Sequence, residues 1–158
     1  MTQHICDRRL LLSALPLVPL SAALHPTAAA AQTGTALPPL VQPDQPTKAA
    51  FLARARALRD QAVREGDQAY GAVVVREGVI VGEGRNRVVL DTDPTAHSEL
   101  LAVRDAARRL GSRDLSQCDV YSTATPCPMC QGALYWARVR RVFTESTLEQ
   151  GMVPKLGC

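Results

Sequence analysis

No stretch of this 158-residue chain is apolar enough for long enough to cross a bilayer. A spanning helix needs about 20 apolar residues, whereas Leu10 to Leu24 is fifteen residues interrupted by Pro16 and Pro19. A stable membrane anchor is therefore not expected. The chain also lacks strong charge of either sign. Removing residues 1–31 takes Arg8, Arg9 and Asp7 from eighteen basic and fifteen acidic residues, leaving sixteen and fourteen, a net of +2. That balance offers no basic tail or stripe of the kind nucleic-acid binders carry, although it leaves room for a local patch. The only concentrated basic run in an expected strand is Arg138-Val139-Arg140-Arg141, for which a solvated edge is the plainer account. Histidine is scarce as well: of three, only His97 falls after residue 25. There is no internal repeat, and biased composition is confined to the first 46 residues.

Those residues read as two segments. Residues 1–31 have an n-region with Arg8-Arg9, the apolar stretch, and Ala29-Ala30-Ala31 as a small-residue cleavage site, which is the pattern of an export signal. The arginine pair before Leu10-Leu11-Leu12 resembles a twin-arginine signal, with Asp7 where Ser or Thr is usual, so periplasmic export by that route is expected, with the ordinary secretory route as the alternative. Residues 32–46 carry four prolines and read as an extended linker that contributes no core. The remaining 112 residues, 47–158, suffice for one packed domain.

Within that domain Thr47 caps a helix with Phe51, Ala55, Leu58 and Ala62 on one face. Two β-rich runs, Ala69 to Val75 and Val79 to Arg85, flank a turn at Arg76-Glu77-Gly78. A second helix is expected over Thr95 to Leu110, with Ala96, Leu100, Val103, Ala107 and Leu110 inward and Gly111 as its stop. A strand at Asp119 to Thr123, a helix at Pro128 to Ala137 and a strand at Arg140 to Thr144 complete an alternation that implies helical crossovers between parallel strands. Beyond Glu145 no regular element is evident.

Chemistry concentrates in two places, Thr95-Ala96-His97-Ser98-Glu99 and Pro126-Cys127-Pro128-Met129-Cys130. One imidazole and two thiols make three zinc ligands, the number a catalytic zinc takes while keeping one position open. Pro128 suits the first position of a helix that would hold Cys127 and Cys130 one turn apart, and Asp93-Pro94 reads as the cap and first turn of the helix carrying His97 and Glu99. Two helix N-termini would then favour thiolate and hydroxide at one point. The alternatives are a closed zinc site completed by Cys118, or a disulfide between Cys127 and Cys130. Cys118 is expected to pack in the core, and a Cys118–Cys158 disulfide stays open.

The pattern H-x-E followed by P-C-x-x-C is that of zinc deaminases. Asp93-Pro94-Thr95-Ala96-His97-Ser98-Glu99 and Pro126-Cys127-Pro128-Met129-Cys130-Gln131-Gly132-Ala133 resemble the cytidine and deoxycytidylate deaminase superfamily, and within it the branch of bacterial guanine deaminases and tRNA adenosine deaminases. The resemblance covers about Thr47 to Glu145. It implies a three-layer α/β/α sandwich around a mixed five-stranded sheet, zinc held by His97, Cys127 and Cys130, and Glu99 moving protons. It also places Asn86 and Ala96 as substrate-binding residues, with a loop-turn role as the alternative for Asn86. Ala133-Leu134-Tyr135-Trp136-Ala137-Arg138 looks more like guanine deaminase, unless Tyr135 and Trp136 simply pack. Two departures are that Ala124 and Thr125 stand where relatives commonly have Cys and Glu, and that the chain is short after the fourth strand, which puts the fifth in doubt. The expectation is hydrolytic deamination of a small nucleobase or nucleoside, guanine favoured, with tRNA a less favoured partner and a homodimer implied by relatives. Deamination of cytosine, a nucleoside or tRNA, or a non-catalytic zinc-stabilised binding protein, are the competing readings.

Overall fold

A computed structural model describes residues 37–156. The expected export signal, the start of the linker and Cys158 lie outside the described residues. Among those described, no helix is long and apolar enough to cross a membrane.

Helix α1 (Lys48–Arg64) starts where Thr47 Oγ1 accepts the Ala50 N–H at 3.1 Å, an N-cap that satisfies one orphan donor. Strands β1 (Gly71–Arg76) and β2 (Val79–Arg85) pair antiparallel across a two-residue turn. Both turn residues adopt positive φ, Glu77 at 52° and Gly78 at 79°, as the hairpin twist requires. Helix α2 (Ser98–Leu110) ends on Gly111 in the left-handed region. Strand β3 (Cys118–Ser122), helix α3 (Pro128–Trp136) and strand β4 (Arg141–Phe143) follow.

The four strands lie in the order β2-β1-β3-β4. Strand β1 runs against both neighbours while β3 and β4 are parallel, so the sheet is mixed. The inferred parallel crossover holds for β3-α3-β4, and α2 carries the chain over β1. Alternation of side chains then builds the layers. Val73 and Val75 join Tyr121 and Phe143 against Phe51 and Leu58 of α1, whereas Ala72, Val74, Val120 and Val142 face Ala102 and Ala106 of α2 and Leu134 of α3. This is the three-layer sandwich expected. Beyond β4 a 3₁₀ turn (Glu145–Thr147) leads to a single antiparallel bridge between Met152 and Val142, and no fifth strand forms among the described residues.

Three expectations need correction. The described part of the Pro-rich segment packs on the domain: Leu40 joins the α1-side core, and the Gln42 side-chain amide pairs with both backbone groups of Ile80 at 2.8 Å. An amide side chain thus substitutes for a neighbouring strand at the β2 edge, a role its composition did not signal. Helix α2 begins at Ser98, not Thr95, because the Asp93 carboxylate takes the Thr95 N–H and hydroxyl and turns the chain before the helix starts. Its closest packing runs through Ala102 and Ala106, which the expected face omitted, while Val103 and Leu110 pack beside them as expected. A Cβ on Gly82 would come within 2.6 Å of the Ala102 carbonyl oxygen, and one on Gly84 would overlap that of Ser98, so the two glycines let α2 seat backbone-to-backbone on β2.

Candidate active site

The seating of α2 on β2 delivers His97 as the N-cap of that helix and Glu99 into its first turn. Residue Cys127 caps α3 in the same way, Pro128 occupies its first position, and Cys130 stands one turn on. The two N-termini meet just beyond the ends of β2 and β3, where open α/β sheets place their sites.

Nitrogen Nδ1 of His97 lies 3.7 Å from Cys127 Sγ and 3.6 Å from Cys130 Sγ, and the three ligand atoms all fall within 4.8 Å of one another. Bond lengths of about 2.3 Å to sulfur and 2.0–2.1 Å to nitrogen put tetrahedral ligands roughly 3.5 Å apart, so this donor set fits zinc. Both cysteines are free thiols. Burial pushes the Cys130 thiol well above its usual range, and the nearby Glu99 carboxylate pushes the same way. A cation at the triad reverses that balance, since the thiolate is the form that binds metal. Residue Cys118 does not complete the set. It opens β3 in the core, four residues from Ser122 at the site end, about 13 Å along an extended strand.

Residue Glu99 is buried, and both its oxygens are held. The Ser122 hydroxyl donates to Oε1 at 3.0 Å and the Ser98 hydroxyl to Oε2 at 3.1 Å. Oxygen Oε2 also sits 3.8 Å from Cys130 Sγ. His97, Glu99 and Cys127 line a cavity of about 230 Å³ together with Gln68, Tyr70, Asn86, Ala124 and Thr125. That is below the 300–1,000 Å³ of drug-sized sites and suits a small ligand.

Residue Asn86 is brought to this cavity and Ala96 is not. The Asn86 side chain is 1% exposed, its Nδ2 donates to Asp67 Oδ1 at 2.8 Å, and its Oδ1 has no partner. A buried acceptor left free beside a cavity is available to a donor from water or a ligand. Ala96 is buried and not part of that lining, its N–H given to the Asp93 carbonyl and its own carbonyl taken by the Arg87 N–H, both at 3.0 Å. Residues Tyr135 and Trp136 neither pack in the core nor reach the cavity: they are 44% and 74% exposed, on a separate groove with Val153 and Pro154.

Sequence reading missed Ser98, Ser122, Asp67 and Gln68. Ser98 sat in plain view inside the H-x-E motif, but Ser122 and Asp67 carry no local signal and are joined to Glu99 and Asn86 only by the fold. Desolvation raises the Asp67 pKa, but hydrogen bonds from the Leu90 N–H, the Asn86 amide and the Gln68 and Val89 N–H groups outweigh it and hold the carboxyl below its ordinary value.

Residues 45–146 match the model of the cytidine and deoxycytidylate deaminase zinc-binding region. Among curated proteins, a guanine deaminase of Bacillus subtilis is 47% identical over 94 residues, which cover 59% of this chain and 60% of that protein. A tRNA-specific adenosine deaminase of Aquifex aeolicus is 42% identical over 89 residues, 55% of this chain and 59% of that one. The chain thus spans about 60% of the length of these relatives. The crystal structure of the Bacillus subtilis guanine deaminase superposes with a TM-score of 0.58 over 60% of each chain at 46% identity. A protein solved in complex with 2,6-diaminopurine superposes with a TM-score of 0.60 at 30% identity, covering 62% of this chain and 56% of its own.

Proposed function

Because this chain belongs to the cytidine and deoxycytidylate deaminase zinc-binding family, we propose that it is a zinc-dependent hydrolytic deaminase of a small nucleobase or nucleoside, guanine favoured, releasing ammonia. The observation that carries this reading is Glu99, a buried carboxylate held by two serines beside a metal-competent triad and facing the same small cavity. A structural metal has no use for a carboxylate so placed.

Zinc bound by His97, Cys127 and Cys130 would supply the Lewis acidity that makes water a nucleophile near neutral pH. Glu99 takes one proton of the attacking water and passes it to the ring nitrogen next to the carbon bearing the amine. It then takes the remaining proton of the new hydroxyl and delivers it to the amino group, which leaves as ammonia while the carbonyl forms. Residues Ser98 and Ser122 fix the carboxylate so that one oxygen need not rotate away between transfers. Asn86 Oδ1 takes a hydrogen bond from the ligand and orients its ring. The cavity volume and the near-balanced charge support a small substrate over tRNA, and the greater identity to the guanine deaminase points the same way.

Ammonia release from guanine, adenine, cytosine, their nucleosides and a tRNA anticodon stem-loop, at low and moderate salt, tests this. Turnover of a small base with weak salt dependence is expected, because a small ligand displaces few counterions. Turnover of the stem-loop alone would transfer the reading to tRNA, which the Aquifex aeolicus relative favours. No turnover of any by zinc-loaded protein would leave a binding protein.

A further inference from the structure

The four acceptor positions of the Asp67 carboxylate are all engaged. Oδ1 takes the Gln68 N–H at 2.7 Å and Asn86 Nδ2 at 2.8 Å, while Oδ2 takes the Val89 and Leu90 N–H groups at 3.0 and 2.9 Å. An ionised carboxylate only accepts, so the amide of Asn86 has no choice of orientation: Nδ2 must face Asp67 and Oδ1 must face away. The second proton of Nδ2 goes to Gln68 Oε1 at 3.3 Å, which commits that oxygen as acceptor and makes Nε2 the end of the Gln68 amide left to donate elsewhere. Both Asn86 and Gln68 line the cavity that holds His97 and Glu99.

Resting on the reading of that cavity as a base-binding site, we propose that Asp67 is a positioning residue that sets the hydrogen-bond polarity of the wall, presenting Asn86 Oδ1 as acceptor and Gln68 Nε2 as donor. The ligand edge complementary to this wall carries an N–H beside a ring nitrogen or carbonyl. Heterocyclic bases offer such an edge, and a fully N-alkylated ring does not. Asp67 reaches the ligand only through Asn86 and Gln68, and the same carboxylate pins the loop after β2 at Val89 and Leu90.

Replacement Asp67→Asn tests the relay, because an asparagine can still accept from the loop N–H groups but can donate to Asn86 Oδ1 and let that amide turn over. In zinc-loaded protein we expect KM for the preferred base to rise about 10- to 100-fold, the range for losing a hydrogen bond at a buried acceptor, with kcat within about threefold. Nitrogen-15 NMR reads the relay without activity. The Asn86 side-chain NH₂, assigned by its loss in Asn86→Asp, should exchange slowly with water in the wild type and quickly in Asp67→Asn. Gln68→Glu, at an exposed position, should keep Asn86 protected yet raise KM by turning the Gln68 donor into an acceptor. Rapid exchange of the Asn86 amide in the wild-type protein overturns the proposal whatever the substrate proves to be. So does an unchanged KM in both variants, or an Asp67→Asn protein that loses kcat and zinc together, which would mark Asp67 as structural only. If no base is turned over, the proposed activity fails, while the exchange measurement still decides the relay.

Discussion

Replacing Glu99 by glutamine keeps the size of a buried side chain and removes its charge and its ability to take up a proton. The wild-type carboxylate accepts from Ser122 at 3.0 Å and Ser98 at 3.1 Å. A glutamine oxygen keeps one of these bonds, and its NH₂ can donate to the other hydroxyl once that hydroxyl rotates. At most about one hydrogen bond is lost, so stability should fall by no more than roughly 0.5–1.5 kcal/mol. Turnover should fall far more, by about 10²- to 10⁴-fold, the usual worth of a positioned acid or base. At 1.36 kcal/mol per decade that is about 2.7–5.4 kcal/mol on the barrier. The two effects are therefore separable by chemical denaturation beside steady-state ammonia release, with zinc content measured on the same preparation. Turnover within tenfold of wild type in a zinc-loaded Glu99→Gln protein would refute the assignment and require another group to move the protons. Ser122→Ala should give a smaller loss in kcat, about tenfold, because Oε1 loses its donor but the carboxylate remains.

Metal analysis of purified protein should find one zinc per chain, and Cys130→Ala should lose both metal and much of the stability, since ligand binding here contributes folding free energy; full zinc occupancy in the variant would exclude Cys130 as a ligand. Gly84→Ala places a methyl against the Ser98 carbonyl and should cost about 1–3 kcal/mol or more while displacing His97 and Glu99, so wild-type stability in denaturant titration would contradict the close seating of α2 on β2. For the export route, Arg8→Lys with Arg9→Lys should retain the precursor in the cytoplasm if a twin-arginine pathway reads the pair, whereas unchanged periplasmic protein on cell fractionation would indicate the ordinary route.

The metal triad was legible in the sequence because its geometry is local at each end: a proline-started helix spaces Cys127 and Cys130, and H-x-E places His97 and Glu99 within one turn of each other. The alternation of elements was legible for the same reason, since periodicity and punctuating glycines act over a few residues. The start of α2 was misplaced because Asp93 uses its carboxylate to make a turn, and a residue that caps helices also caps turns. The inward face of α2 was only partly legible: Leu100, Val103 and Leu110 do face the core, but hydrophobicity passes over Ala102 and Ala106, which contact with the bare backbone of Gly82 and Gly84 favours for their small size. Residues 32–46 looked like a linker by composition, and only the fold offers Gln42 an unpaired β2 edge to occupy.

The sequence alone determined which atoms are available for chemistry here: three zinc-competent ligands, one carboxylate beside them, and the family to which their spacing belongs. Only the tertiary structure decided how those atoms are held, because the partners lie far apart along the chain. Ser122 reaches Glu99 across 23 residues, Asp67 reaches Asn86 across 19, and Cys127 reaches His97 across 30. No local propensity encodes such distances. They are set when β2 and β3 end at one edge of the sheet and two helices begin there. That convergence turns a list of reactive residues into a cavity lined by one buried carboxylate and one unsatisfied acceptor.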